Sequence, residues 1–383
     1  MKKISLAVAA ALSAAAVMSA AGEFSAGGIG YFEFNSYDQT QGNGEDTASF
    51  LSGTVSLDYK SGALGNGLSY NLGGILNRKI WENNDGDWLS TYGPAPRPID
   101  DTIFHTANIA WSNNLATVIA GRQEIELEWL SDYHEAVVGV LKPTKEFTIT
   151  AGWTRAFTSA DYDGYNDGFS EIKDLTDNDS GAFVVDAAIE LGSGLTIEPW
   201  IYLVPDLTNF FGGKVAIEQD AFNASLAYTI ATDESDGDAD DDSFLHFTIG
   251  ADVSDSLKVL AGAGLSGSKE NAAGLLGQLG DNVNPFEDGN YFLENDTLTI
   301  YGGVEYASGK LTLGALGGIS NTGDKGSAGK GRAIEIDLSA EYAINDVFSV
   351  KGIIVDQLGG SKAYKDEDYL SVRLAAIYNY GGK

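Results

Sequence analysis

The sequence predicts an all-β protein, a transmembrane antiparallel β-barrel of about eighteen strands, with sixteen as the alternative count. Three observations lead there. The chain begins with a short segment typical of exported proteins. Most of the rest alternates apolar and polar residues with a period of two. The links between the alternating runs are short and long in unbroken succession. A period of two gives each strand one apolar face and one polar face. A water-soluble sandwich turns the apolar face inward, whereas a membrane barrel turns it toward lipid.

The first element is residues 1–21. Lys2 and Lys3 precede an apolar run from Ile4 to Val17, and the small residues Ser19, Ala20 and Ala21 follow. This is the layout of a secretory signal peptide cleaved near Ala21. The run is too short and too rich in alanine to span a bilayer, and no later run approaches the ~20 apolar residues a spanning helix needs. Residues 22–383 then read as one domain, since no composition shift or linker divides them.

Within that domain the alternation is plain. Val55, Leu57 and Tyr59 flank Ser56, Asp58 and Lys60; Phe222 to Ile230 and Ile334 to Tyr342 repeat the pattern. Short links fall at Ser61–Asn66, Asn113–Asn114, Pro143–Lys145, Gly192–Gly194, Gln219–Asp220, Ser254–Ser256, Ser308–Gly309 and Asn345–Asp346. They are rich in Gly, Asn, Asp and Ser, which tight hairpins favour. Between them lie the long links Tyr37–Ser49, Asn77–Asp100, Ile125–His134, Thr158–Ser180, Val204–Gly212, Thr232–Asp242, Gly267–Asn295, Asn321–Arg332 and Gly359–Asp368. Short periplasmic turns and longer extracellular loops are the habit of outer-membrane barrels, and an even strand number leaves both termini on the periplasmic side. Aromatic residues agree. Tyr59, Trp111, Tyr306 and Tyr342 sit near short turns, and Trp153, Phe157 and Tyr228 near long loops, as two interfacial girdles require. Arg155 shares parity with Trp153 and belongs on the outer rim near lipid headgroups. The last strand, Leu370–Tyr380, alternates Val372, Leu374, Ala376, Tyr378 and Tyr380.

Composition excludes several classes. The formal net charge is −32, and loss of Lys2 and Lys3 with the leader makes it −34. Phosphate backbones would be repelled, so nucleic acid is not a partner; a cation-attracting lumen or surface is compatible. There is no cysteine, so the core or a closed hydrogen-bond ladder, and not disulfide staples, stabilises the chain. His105, His134 and His246 are scattered, without HExxH or cysteine context, and no local nucleophile–histidine signature is present; the chain reads as a non-enzyme.

The most distinctive segment is Gly121–Val140, GRQEIELEWLSDYHEAVVGV, between a strand at Leu115–Ala120 and another at Glu135–Leu141. Here the chain resembles the Opr-type outer-membrane porins of epsilonproteobacteria. The resemblance covers the leader, the hairpin layout and this segment. The last strand resembles the C-terminal strand that barrel-insertion machinery reads in outer-membrane proteins, departing from it in that Gly381, Gly382 and Lys383 follow the last aromatic residue. The porin resemblance implies a water-filled channel that assembles as a homotrimer. Parity with Ala116, Val118 and Ala120 places Arg122 toward the lumen, where Glu124, Glu126, Glu128 and Asp132 could fold near it. Such an arrangement sets a field across a pore, or simply holds the loop to the wall.

Strand parity alone assigns Asp186, Glu190, Glu198, Glu305, Glu335, Asp337 and Glu341 to the lumen, with Lys258, Lys351 and Arg373 as the basic minority. The expected consequence is mild cation preference. No cofactor is expected. In the acidic stretch DESDGDADDD, Asp236, Asp238, Asp240 and Asp242 alternate like calcium ligands. Phe247 stands where an EF-hand needs glutamate, however, and strands flank the loop, leaving at most weak Ca²⁺ binding. The expected function is passive diffusion of ions and small hydrophilic solutes across an outer membrane, among lipid and lipopolysaccharide. The alternative is a surface interaction or adhesin-type barrel whose acidic loops bind a ligand or divalent cations.

Overall fold

The computed structural model describes residues 22–36, 47–84, 88, 102–158, 168–174, 179–234, 241–268, 280, 282–289, 291–324, 330–361 and 368–381. The leader and Asp236, Asp238 and Asp240 of the acidic stretch lie outside the described residues. The strands are β1 (Gly22–Asn35), β2 (Ala48–Ser61), β3 (Leu68–Glu82), β4 (Thr102–Ser112), β5 (Ala116–Glu124), β6 (Tyr133–Leu141) and β7 (Phe147–Thr158). They continue with β8 (Ser170–Glu171), β9 (Ala182–Gly192), β10 (Leu195–Val204), β11 (Thr208–Gln219), β12 (Phe222–Asp233) and β13 (Asp242–Ser254). The last are β14 (Leu257–Ser266), β15 (Thr297–Ser308), β16 (Leu311–Thr322), β17 (Gly331–Ala343), β18 (Phe348–Ser361) and β19 (Tyr369–Tyr380).

Every pairing is antiparallel between neighbours, and β1 pairs with both β2 and β19, from Ala26↔Tyr380 to Asn35↔Ser371. β8 is a two-residue strand on the end of β7, so eighteen strands form the closed ring. Closure satisfies the backbone donors and acceptors without leaving an edge, which a wall in hydrocarbon requires. No helix among the described residues is long and apolar enough to cross a membrane.

The alternation has the sign of a membrane barrel. Along the wall, Val137, Val185, Val215, Leu226, Phe247, Ile300, Leu338 and Leu374 project outward, with Ile300 58% and Leu374 51% exposed. Their polar neighbours Ser52, Thr54, Ser56, Thr229, Thr299 and Ser371 face the interior and are buried. Trp111, Tyr306 and Tyr342 stand outward near the short-turn end. An eighteen-stranded ring is wide enough to hold water.

Two sequence expectations, one about a link and one about the girdle, need correction. Val204–Gly212 is not a long link: Leu207 donates its N–H to the Val204 carbonyl, Asp206 takes φ 61°, and β11 starts at Thr208. The alternation of Thr208 and Phe210, both buried, with Asn209 and Phe211 continues the strand up to the turn. Phe157 does not join the outer girdle. A register shift between Glu135 and Ala136 makes Arg155 an extra residue of β7, which turns Phe157 inward onto His134 and the interior cluster. One added residue reverses a period-two face.

The hydrophobic core lies inside the ring, on one side. Wall residues Val184, Trp200, Tyr202, Phe210, Phe244 and Tyr301 meet Ile125, Trp129 and Leu130 of the β5–β6 link and Val283 and Phe292 of the β14–β15 link. These described parts of both links therefore fold into the lumen. Trp129 is 2% exposed, stacks on Phe210 at 5.9 Å and donates its Nε1–H to Thr229 Oγ1 at 2.9 Å. Phe292 packs edge-on against Phe244, His246 and Tyr301. The two links touch where Asn282 Nδ2 donates to the Leu127 carbonyl at 2.9 Å. At Gly280, φ 146°, an added Cβ would lie 2.3 Å from Ser131 Oγ, so only glycine permits the approach.

Candidate pore constriction

The inward links narrow the lumen and bring two charged clusters to the passage. On the β9–β11 wall, the Lys214 ammonium sits between Glu128 of the β5–β6 link at 2.7 Å and Glu198 of β10 at 2.8 Å. Asp186 of β9 accepts a hydrogen bond from the Tyr202 hydroxyl at 3.1 Å in the same cluster. Lys214 follows from strand physics: Thr208, Phe210, Gly212 and Lys214 share one face of β11, and that face is the lumen.

The second cluster holds the β14–β15 link against β1, β17 and β19. Arg373 donates to Asp288 Oδ1 at 2.7 Å, lies 3.5 Å from Glu287 and 3.7 Å from Glu33, and donates to Ser371 Oγ at 3.2 Å. Glu335 accepts the backbone N–H groups of Asp288 and Gly289 at 3.0 and 3.1 Å, and the Gln357 amide at 3.1 Å. Asp337 accepts the Glu287 N–H at 3.2 Å. Carboxylates thus outnumber cations in both clusters, and each cation is clamped by acids from a wall and a link.

The remaining site residues separate by height and face. Glu190 and Glu341 stand exposed near the short-turn end, on the interior faces of β9 and β17. Glu305 and Lys258, register partners on β15 and β14, line a cavity there. Lys351 pairs in register with Glu341. Glu124 lines a second cavity with Asp58, Asn71 and Asn108, while Glu126 is exposed on the β5–β6 link. Asp132, φ 70°, ends that link, and its carbonyl accepts the Ile125 N–H. Among the described residues no group of three or more His, Asp or Glu is placed to hold a metal ion. Asp242, at the start of β13, accepts the N–H of Ser243 through its carboxylate.

Arg122 departs from its expected place. Val118, two positions before Ala120 on the same face of β5, is 40% exposed, so that face looks outward. Arg122 meets none of Glu124, Glu126, Glu128 or Asp132. It binds Glu135 at 2.7 Å, and Glu135 also accepts from Arg155, whose side chain is 53% exposed. The guanidinium donates further to the Phe104 carbonyl at 3.1 Å and covers the Phe169 ring at 4.2 Å. The cause is local: both faces of β5 are apolar or small, so alternation carries no sign there, and Gln123, 4% exposed, marks the interior instead. Next to this cluster the Glu171 carboxylate accepts a hydrogen bond from Lys173 and raises its ammonium pKa above the ordinary value.

Lys214, Glu33, Glu287, Asp288 and Glu135 escape the parity reading. Lys214 falls at the end of a strand masked by the supposed long link, Glu287 and Asp288 belong to a link whose inward path no local pattern encodes, and Glu33 becomes meaningful only when β19 closes on β1.

The barrel has the outer-membrane porin fold. Over 94% of this chain and 98% of the other, it superposes on the crystal structure of Acinetobacter baumannii OccAB2 with a TM-score of 0.73 at 12% identity. It matches Pseudomonas aeruginosa OpdK with vanillate at 0.72 and 12% identity, over 94% and 99% of the two chains. Pseudomonas aeruginosa OpdQ gives 0.69 at 12% identity, over 94% and 99%. No protein-family model matches the chain, and no curated protein matches its sequence. What is shared with these channels is the fold.

Proposed function

We propose that this protein is an outer-membrane porin that passes small hydrophilic solutes by diffusion and prefers cations. One observation carries the reading: a closed ring with an apolar exterior encloses a lumen that two inward links narrow to a passage dominated by carboxylates. Around Lys214 stand Glu128, Glu198 and Asp186, and around Arg373 stand Glu33, Glu287 and Asp288. A low-dielectric wall focuses that excess negative charge on the permeation path, raising local cation concentration. Vanillate, which accompanies OpdK, is an anion, and the carboxylate excess here argues for solutes of the opposite charge class.

The short-turn end is then periplasmic and the long-loop end extracellular. Export through a leader cleaved near Ala21 and assembly as a trimer complete the proposal; N-terminal sequencing of the mature protein and crosslinking in outer membranes test them. The channel is tested by reconstitution into a planar bilayer under a tenfold KCl gradient. A steady conductance with a reversal potential of cation sign is expected. Zero or anion sign overturns the preference, and absence of conductance overturns the channel.

A further inference from the structure

Toward the short-turn end the lumen widens into a cavity of about 710 Å³ against β11 to β18. Its walls are of two kinds. Leu260 faces the lumen and is 46% exposed, beside Leu316 and Ile353, which line the same cavity. The inward apolar residues of the core are covered by the two links, whereas Leu260 lies open to the cavity. Room for Leu260 and Leu316 comes from Gly303, where an added Cβ would lie 3.0 Å from Leu316 Cδ1 and 3.5 Å from Leu260 Cγ.

Asp337 lines the cavity as well. It is only 6% exposed, and while Oδ2 takes the Glu287 N–H, Oδ1 is buried with no hydrogen-bond partner among the described residues. A desolvated carboxylate oxygen with no donor is rare in folded proteins and is matched when a ligand supplies the donor. Arg373 reaches Glu287 at 3.5 Å, but among the described residues no cation pairs with Asp337. Among the described residues lining the cavity are six carboxylates and one ammonium, that of Lys258.

Building on the channel reading, we infer that this cavity is a binding subsite for amphiphilic organic cations. The ammonium donates to Asp337, and the hydrocarbon lies over Leu260, Leu316 and Ile353. A bare divalent ion fits less well. It needs several converging oxygens, and among the described residues no such group exists. Binding slows the solute at one station of its path, so that such cations transiently block the flow of potassium.

The experiment uses n-butylammonium and ethylammonium as probes on the reconstituted full-length protein in KCl, with magnesium as the bare cation. Butylammonium is expected to reduce the potassium current saturably. Its half-blocking concentration lies below that of ethylammonium by up to about fourfold per methylene group buried. Asp337→Asn, which keeps an acceptor for the Glu287 N–H, raises that concentration at least fivefold, and Leu260→Ser removes most of the difference between the two probes. Asp346→Asn, in a short turn away from the cavity, leaves it as in the wild type. Equal block by both probes, block by magnesium at the same concentration, or indifference to Asp337→Asn overturns the subsite while leaving the channel intact. If no conductance is found, calorimetric titration of the detergent-solubilised protein with butylammonium decides separately: saturable heat lost in Asp337→Asn supports the subsite, and no saturable heat refutes it.

Discussion

Replacing Arg373 with alanine removes the cation that joins the β14–β15 link to the closing seam of the barrel. Its side chain is 15% exposed, and its partners Glu33 and Asp288 are 3% and 17% exposed. Deleting one member of a buried ion pair costs about 3–5 kcal/mol, because the remaining charges stay desolvated. Glu33 is fixed on β1 and cannot escape, but Asp288 and Glu287 can regain water if the link lifts from the wall. Assigning about 2 kcal/mol to that relief shifts the balance toward lifted states by about 30-fold. The link is not released outright, since Glu335 still holds two backbone N–H groups and Phe286 still packs against Phe292 and Tyr301. Single-channel recording should therefore show about 30 times more of the record spent in current excursions than in the wild type. The reversal potential should also move toward stronger cation preference, as one lumenal positive charge is lost. Arg373→Lys should fall between, because an ammonium keeps the charge but not the fork that reaches Asp288 and Ser371 together. Wild-type noise and an unmoved reversal potential in Arg373→Ala would falsify the placement of this side chain at the passage.

Other changes separate the wall from the lumen. Lys214→Ala frees Glu128 and Glu198 to face the passage, and the reversal potential in a salt gradient should shift further to the cation side, most strongly at low ionic strength, where screening is weakest. Trp129→Ala removes a 2%-exposed side chain that pins the β5–β6 link, at a cost of about 3–5 kcal/mol; single-channel conductance should rise as the link loosens, and an unchanged conductance would show that the link lies outside the path. Arg122→Ala should leave conductance and selectivity as they are, because its partners Glu135 and Arg155 lie on the outer face. The thermal midpoint should fall instead, since Glu135 loses one of two guanidiniums; a changed selectivity would return Arg122 to the lumen.

The wall was legible from the residues alone. Alternation such as Phe222 to Ile230 needs only a count of two, and hairpin turns announce themselves through Gly, Asn and Asp. Where both faces of a strand are apolar or small, as at Ala116 to Ala120, the count loses its sign. Where a residue is inserted, as at Arg155, it reverses, which is why Phe157 turned inward. Asp206 in a positive-φ turn shortened one link for a reason that its sequence length concealed.

The sequence by itself determined the class of the molecule, because a barrel wall is built from local periodicity and local turns, and because net charge is a sum that needs no coordinates. Only the tertiary structure decided the passage. Lys214 meets Glu128, 86 positions away, and Arg373 meets Asp288, 85 positions away. Such pairs exist because closure brings β19 to β1 and because two links bury Trp129 and Phe292 inside the ring. Hydrophobic burial is non-directional. It tells these links to leave water, but the shape of the finished lumen tells them where to go.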